Sequence, residues 1–478
     1  MTDAPDVSTV STEAAAMHMA AALPRALMAG TNAMRAAGET YLPKEAAESK
    51  EAYKARLDRS FLFGAYAKTV EDMVGKVFTK PIVLKEDVPS QIKDFAENID
   101  NAGRHLNVLA RDAMLDAFQP GVGYFLVDMP PKVTREDGKP ATREDEQKAG
   151  IRPYLVYIPA ERVLGWKSQT IRGVETLTMF RFKEFVSEDD GEFATKDVEQ
   201  IRVLELGRWR TFRKAKGDGG KEVWVEHKSG ETSITDAIPV VPAYLKRQSF
   251  MTGVPPFAKL AELNVAHWQS SSDQRNILHV ARVPILFMAG FDADATIEIG
   301  ASKAVRTTNG QAKMEYVEHT GSAIGAGQTD IDKIEQQMQA MGLQLLIDKP
   351  GGQSATGEIR DDAKENSPLA MMADALGDAI EQAFAFMAEF IGLGKDKGGS
   401  VEVNTDFGLS SMDVPQVVAC FSAGLIDAQT AVDELKRRNF LSGDVDAEVV
   451  MERLANQTRL EAKQAMELNA QSSIPAAA

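Results

Sequence analysis

The chain has one cysteine, Cys420, in 478 residues. That excludes an intrachain disulfide framework and fits assembly in a reducing compartment; the thiol reads as a small side chain on a helix. Histidine is also sparse. His18, His105, His227, His267, His279 and His319 are scattered without a zinc-protease helix or a cysteine partner, so no metal site is expected. His267 and His279 share a helix but lie too far apart for joint ligation. Basic residues are outnumbered, 54 Lys and Arg against 70 Asp and Glu, for a net charge of -16. An excess of that sign excludes general affinity for polyanions and leaves only loose or local contact with nucleic acid. No apolar run approaches the ~20 residues of a membrane-spanning helix, and the opening MetThrAspAlaProAspVal has no basic region before an apolar core. Neither a membrane partner nor a secretory leader is expected.

Catalytic signals are equally thin. Gly321 to Gly327 resembles a phosphate loop only superficially, because it lacks the Lys-Ser/Thr pair, and it reads as a turn. The Asp-rich fragments at Asp292 and Asp444 lack the central Gly and terminal Glu of a calcium loop. No nucleophile elbow is present. The residues therefore predict no catalytic, cofactor-binding or metal-binding site, and no enzyme activity. LysArgArg at Lys436 is a lone basic cluster that complements a helix C-terminus.

What is present is a succession of helical and extended periods. Residues 1–40, rich in Ala, Ser and Thr, read as a flexible or weakly helical arm. Glu45 to Phe78 reads as one long helix or a close pair, with Tyr66, Val70, Met73 and Val77 on one face, and Ser90 to Phe118 as a second helical stretch. From about 121 to 245, apolar, β-branched and aromatic runs parted by turns predict an antiparallel β region, with a charged loop from Pro131 to Gly150 on its surface.

A helix follows Pro255-Pro256 and runs to about Arg282, spanning about 39 Å. Its middle, Gln269 to Asn276, is polar all the way round, a pattern suited to bridging packed regions or lining water. A short β-rich excursion is expected between Pro284 and Gln328. Ile331, Ile334, Met338, Met341 and Leu345 then mark a second helix capped by Thr329 or Asp330. Pro350 and the following glycines break it into a loop over Asp348 to Gly357. Ser367 and Pro368 start a long amphipathic helix that places Leu369, Met372, Leu376, Ile380, Ala383, Met387 and Ile391 on one face. Asp374, Asp378, Glu381 and Glu389 occupy another, and Gly392 or Gly394 closes the helix. From Ser411 the chain reads as helices again, ending in a disordered tail. By itself this pattern defines a large α+β assembly protein.

The order of several short motifs carries a resemblance. They are Tyr41-Leu42-Pro43-Lys44, the helix end Thr69 to Pro81, Gly123 to Asp128, Arg152 to Trp166, Leu260 to Trp268 and Tyr316 to Gly321. In that order, over about 40–460, the chain resembles the portal proteins of tailed bacteriophages, most closely a phage and prophage family long known only as a domain of unknown function. The resemblance implies a ring, usually a dodecamer, at one capsid vertex. It would be the conduit for double-stranded DNA in packaging and ejection, assembled in the host cytoplasm and carried in the virion.

It also implies a division of the chain: an N-terminal arm at 1–44, a mixed α/β wing at 45–256, stem helices at 257–283 and 329–347, and a β-rich clip at 284–328. A tunnel loop follows at 348–358, then a long wing helix and strand at 359–410 and crown-like helices with a tail at 411–478. On that template Asp348, Lys349, Gly351, Gly352, Gln353 and Ser354 belong to the loop facing DNA. The implied partners are further copies of the chain, double-stranded DNA without sequence specificity, the major capsid protein, the terminase motor and tail adaptor proteins, with no cofactor. Two other readings stand beside it: a different head-tail adaptor or structural protein of the virion, and a nuclease or hydrolase built from scattered acids.

Overall fold

The computed structural model describes residues 6–130, 150–217, 220–281, 285–290, 309–317, 322–343 and 367–405, and parts of 407–459. The chain forms two compact units, Met1–Thr405 and Asp406–Ala478. Helices and antiparallel sheets share the first unit, an α+β fold as expected.

Helix α1 (Thr12–Ala29) starts where the Ser11 hydroxyl accepts the Ala14 N–H at 3.2 Å. The arm expected to be flexible or weakly helical is a packed helix over Thr12–Ala29: Ala14, Met17, Ala21 and Leu27 are buried. Arg181 holds the preceding segment by donating to the carbonyls of Val7 (2.7 Å) and Thr9 (3.0 Å). After α2 (Thr31–Ala37), the stretch from 45 to 78 resolves into a pair, α3 (Lys50–Arg59) and α4 (Ala65–Val77). Tyr66, Val70, Met73 and Val77 are buried on one face of α4, as their spacing predicts.

A short strand, β1 (Val83–Leu84), precedes α5 (Ser90–Ala96) and α6 (Leu106–Ala117). The β region contains β2 (Val122–Asp128), β3 (Tyr154–Ile158), β4 (Val163–Ile171), β5 (Val174–Asp189), β6 (Thr195–Glu205), β7 (Arg208–Lys216), β8 (Glu222–Glu231) and β9 (Val240–Tyr244). Strand β2 is the centre of a three-stranded antiparallel sheet ordered β3-β2-β9, while β4 to β8 form a five-stranded antiparallel meander in chain order. Between the two sheets lies an apolar core in which Tyr124, Leu126, Phe180 and Phe182 are buried. The Tyr124 hydroxyl donates to the Met251 carbonyl at 2.5 Å, which satisfies the one polar atom that ring carries into the core. Where the meander leaves the core its side chains turn to ion pairs, and Arg202 grips Asp128 with two bonds of 2.7 and 2.8 Å.

Two short strands, β10 (Arg247–Ser249) and β11 (Thr252–Gly253), lead into α7 (Ala258–Ala281). Then come β12 (Ile285–Ala289) and β13 (Lys313–Val317), paired antiparallel from Ile285–Val317 to Ala289–Lys313, followed by α8 (Ser322–Leu343). The helix expected to start at Thr329 or Asp330 therefore begins seven residues earlier, and the turn expected at Gly321 to Gly327 is largely helical.

Helix α9 (Pro368–Phe390) has the predicted cap, with the Ser367 hydroxyl accepting the Ala370 N–H at 3.1 Å, and buries Leu369, Met372, Leu376, Ile380, Ala383 and Met387. It ends as its sequence predicts, since Gly392 takes the left-handed conformation with φ of 77°. The chain returns as β14 (Val401–Glu402) to pair with β1. The second unit contains α10 (Val414–Ser422) and α11 (Ala428–Arg437), the latter started by Asp427 accepting the Thr430 N–H at 2.7 Å. No helix among the described residues is long and apolar enough to cross a membrane.

Candidate functional site: a polar seam along helix α7

Helix α7 has almost no apolar side, yet its middle is not left in water. Asn264, His267, Ser272 and Gln274 are buried polar residues, and Trp268 beside them is fully buried. Burying such groups is costly unless their hydrogen bonds are made; here two sets of partners make most of them, while His267 Nδ1 and the Trp268 indole N–H are buried without one.

Toward α8, His267 Nε2 lies 3.0 Å from Glu335 Oε1, the Ser270 hydroxyl donates to Asp330 Oδ2 at 3.2 Å, and Gln274 Nε2 donates to the Ile324 carbonyl at 2.8 Å. Partner numbers fall along α8 as they rise along α7, so the two helices run antiparallel. On the opposite side, Gln269 Nε2 donates to the Tyr41 carbonyl (3.0 Å) and Asn276 Oδ1 accepts from Arg59 (3.0 Å). Ser272 shares a hydrogen with Ser60 (2.8 Å), and Asp273 pairs with Arg56 (3.4 Å). At about 100° per residue, His267, Ser270 and Gln274 fall within about 60° of one another, and Gln269, Ser272, Asp273 and Asn276 group on the far side. The helix is polar all round because it is bonded on two opposite faces, which is the bridging alternative of the sequence reading.

Arg56 is the most demanding member of the seam. Only 4% exposed, it pairs with Glu48 through Nε and Nη2, both at 2.8 Å, and donates to the Pro43 carbonyl at 2.8 Å. The bond from Arg56 holds the Glu48 carboxyl below its ordinary range, and burial raises Asp273 above its own against the opposing pull of Arg56. Asn264 works on the backbone instead: its Oδ1 accepts the Tyr66 N–H at 2.9 Å and its Nδ2 donates to the Phe63 carbonyl at 2.8 Å.

Gly327 faces α7. A Cβ there would lie 2.3 Å from Gln274 Oε1, so a larger residue would displace the end of the Gln274 side chain that bonds the Ile324 carbonyl. A glycine that local rules read as a turn is kept helical by tertiary contact. Thr329, expected as a cap, instead donates its hydroxyl to the Gly325 carbonyl at 2.9 Å inside the helix. Of the apolar positions predicted for this helix, Ile331 and Met338 are buried and Ile334 and Met341 half-buried. Leu345 lies outside the described residues, as do the loop candidates Asp348, Lys349, Gly351, Gly352, Gln353 and Ser354.

The seam ties α7 to α8 on one side and to residues 41–60 on the other. Among the described residues no group of three His, Cys, Asp or Glu side chains is placed to hold a metal ion. The polar middle of α7 was visible in the sequence, whereas Arg56 as its partner, with Glu48 behind it, and the tie from Asn264 to Phe63 and Tyr66 were not, because these contacts of α7 span up to 217 positions.

A family model described as a domain of unknown function (DUF4055) matches residues 256–391, the span from just before α7 to the end of α9. No curated protein matches. Among solved structures, one chain is from the neck of an empty gene transfer agent particle computed with C6 symmetry. It is 13% identical with a TM-score of 0.40, and the alignment covers 77% of this chain and 89% of that one. A chain from the neck of the native particle computed with C12 symmetry is 12% identical at 0.38, covering 83% and 96%. One from the virion of the native gene transfer agent particle is 13% identical at 0.38, covering 77% and 89%. Similarity at this level carries no argument about role.

Proposed function

We propose that the chain is a structural subunit of the head-tail region of a phage-like virion, and specifically a portal subunit. In this role it forms a ring at one capsid vertex, conducts double-stranded DNA during packaging and ejection, and docks the packaging motor and tail adaptors. The observation that carries the reading is the path from α7 to α8. The chain runs out along one long helix, makes the β12–β13 pair, and returns antiparallel along a second helix bonded to the first by three polar rungs. That is the stem-clip-stem order implied by the sequence motifs.

Two properties support it. Polar rungs tie the two helices together without a broad apolar face, so the pair can stand beside water as a channel wall must. The net charge of -16 suits a conduit, since a duplex held by many phosphate contacts would not slide. The DNA-facing loop of this proposal is 348–358, with Lys349 as its one cation. The role is structural and not enzymatic. Native mass spectrometry and negative-stain imaging of the full chain test it. Closed rings of about twelve copies with a central hole are expected for identical subunits joined head to tail, and a chain that stays monomeric with its capsid and motor partners present overturns it.

A further inference from the structure

The loop joining α3 to α4 places two phenylalanines on the surface. Phe61 is 56% exposed and Phe63 41%, while Leu62 between them is buried. The loop is held from several directions. The Ser60 carbonyl accepts from Arg35 at 2.8 and 3.2 Å, the Leu62 N–H donates to the Thr31 hydroxyl at 3.3 Å, and the Phe63 carbonyl accepts from Asn264. Arg275 lies over the Phe61 ring at 5.8 Å, and Arg59 is exposed nearby on α3. A rigid aromatic pair collared by guanidinium groups has lost its ordering entropy in advance, which is the character of a binding anchor.

Elsewhere on the same unit, β5, β9, the segments flanking β9 and α9 surround a recess. Its lining includes Leu177, Ile238, Val240 and Phe386, with exposed Gln382, the exposed acids Glu175 and Asp378, and one exposed cation, Arg247, which lies over the Tyr244 ring at 5.1 Å. The apolar knob thus answers the apolar lining, and the cationic collar answers the two acids, which outnumber the one cation, Arg247, at the recess.

We propose that Phe61 and Phe63 of one copy of this chain seat in this recess of a second copy, with Arg59 and Arg275 facing Glu175 and Asp378. A contact between two different patches of the same chain is heterologous, so each copy has one knob and one recess to offer and the contact repeats around a ring. The proposal rests on the ring reading above and names the surfaces that would join its subunits.

The test uses the full-length chain with Cys420→Ser, adding Phe61→Cys, Gln382→Cys or both, and a short bis-maleimide as the probe. The doubly substituted chain should give a ladder of covalent multimers, and an equimolar mixture of the two single variants should stop at dimers. Arg275→Glu or Asp378→Arg alone should lower the cross-link yield about fivefold, and the two together should restore it. Closed rings by native mass spectrometry without cross-linking would overturn this contact and leave the ring reading standing. Cross-linked dimers from chains that never close into rings would support the contact and remove the ring reading. Self-cross-linking by the Phe61→Cys variant alone would mean an isologous contact and would overturn the proposal.

Discussion

The core between the two sheets and the seam along α7 are buried to the same depth by opposite means. Around Tyr124, Phe180 and Phe182 the interior is apolar, and one hydroxyl needs one partner. Along α7 four buried side chains, Asn264, His267, Ser272 and Gln274, are polar and each bonds to another element, beside buried Leu260, Ala261 and Trp268. An apolar core gains from area removed from water and tolerates small changes of shape. A polar seam gains little net energy per bond but forfeits the desolvation cost of every group left unpaired. The first region stabilises the fold; the second specifies which elements meet, and in what register.

That contrast can be broken at both ends. The largest loss is expected from Phe180→Ala, about 4 kcal/mol for a large ring removed from a closed core, read as a fall in urea midpoint. Arg56→Ala should cost about 3 kcal/mol, because Glu48, itself only 10% exposed, is left as an unpaired carboxylate. Arg56→Met combined with Glu48→Leu should recover most of that loss, and a double-mutant cycle measures the coupling. Asn264→Leu sharpens the comparison. It keeps the volume but should cost about 2 kcal/mol through the Tyr66 N–H and Phe63 carbonyl it strands. Leu126→Met, an equally conservative change in the apolar core, should cost less than about 1.5 kcal/mol.

The smallest effects are in pH. Glu48 is held below its ordinary range in the folded chain, so its contribution is complete above the unfolded carboxylate range and is lost as pH falls through the folded value. Arg56→Met should therefore flatten the acid limb of a stability-pH curve. Asp273 is raised, so its contribution has the opposite sign: present at low pH, and lost as pH rises through the ordinary aspartate range and above it. Asp273→Asn should accordingly gain stability relative to the parent chain as pH rises from about 3 to about 7. Urea titrations at several pH values check both signs.

Elements governed by local periodicity were legible in the sequence. The spacing of Tyr66, Val70, Met73 and Val77 named the buried face of α4, and Ser367-Pro368 with Gly392 bracketed α9, because caps, period and left-handed glycine act within a few residues. The antiparallel β region was legible for the same reason, as alternation between turns. The start of α8 was missed because Gly325 and Gly327 read locally as a turn, while the helix that holds them is bonded to α7, Ile324 to Gln274 50 positions earlier. The burial of α1, read as flexible or weakly helical, was missed because its alanines carry little apolar signal until the surface that covers them is known.

The sequence by itself determined the α+β class, the faces of the amphipathic helices and the acidic, cysteine-poor character of the chain, since each depends on composition or on neighbours within a turn or a strand. It also marked the middle of α7, Gln269 to Asn276, as polar all round. Only the tertiary structure decided what that polarity is for. Hydrogen bonds are short and directional, and their worth depends on whether a partner from a distant part of the chain reaches the same point. Glu335, Ile324, Tyr41, Ser60 and Arg56 do reach α7, and that makes it a bonded bridge.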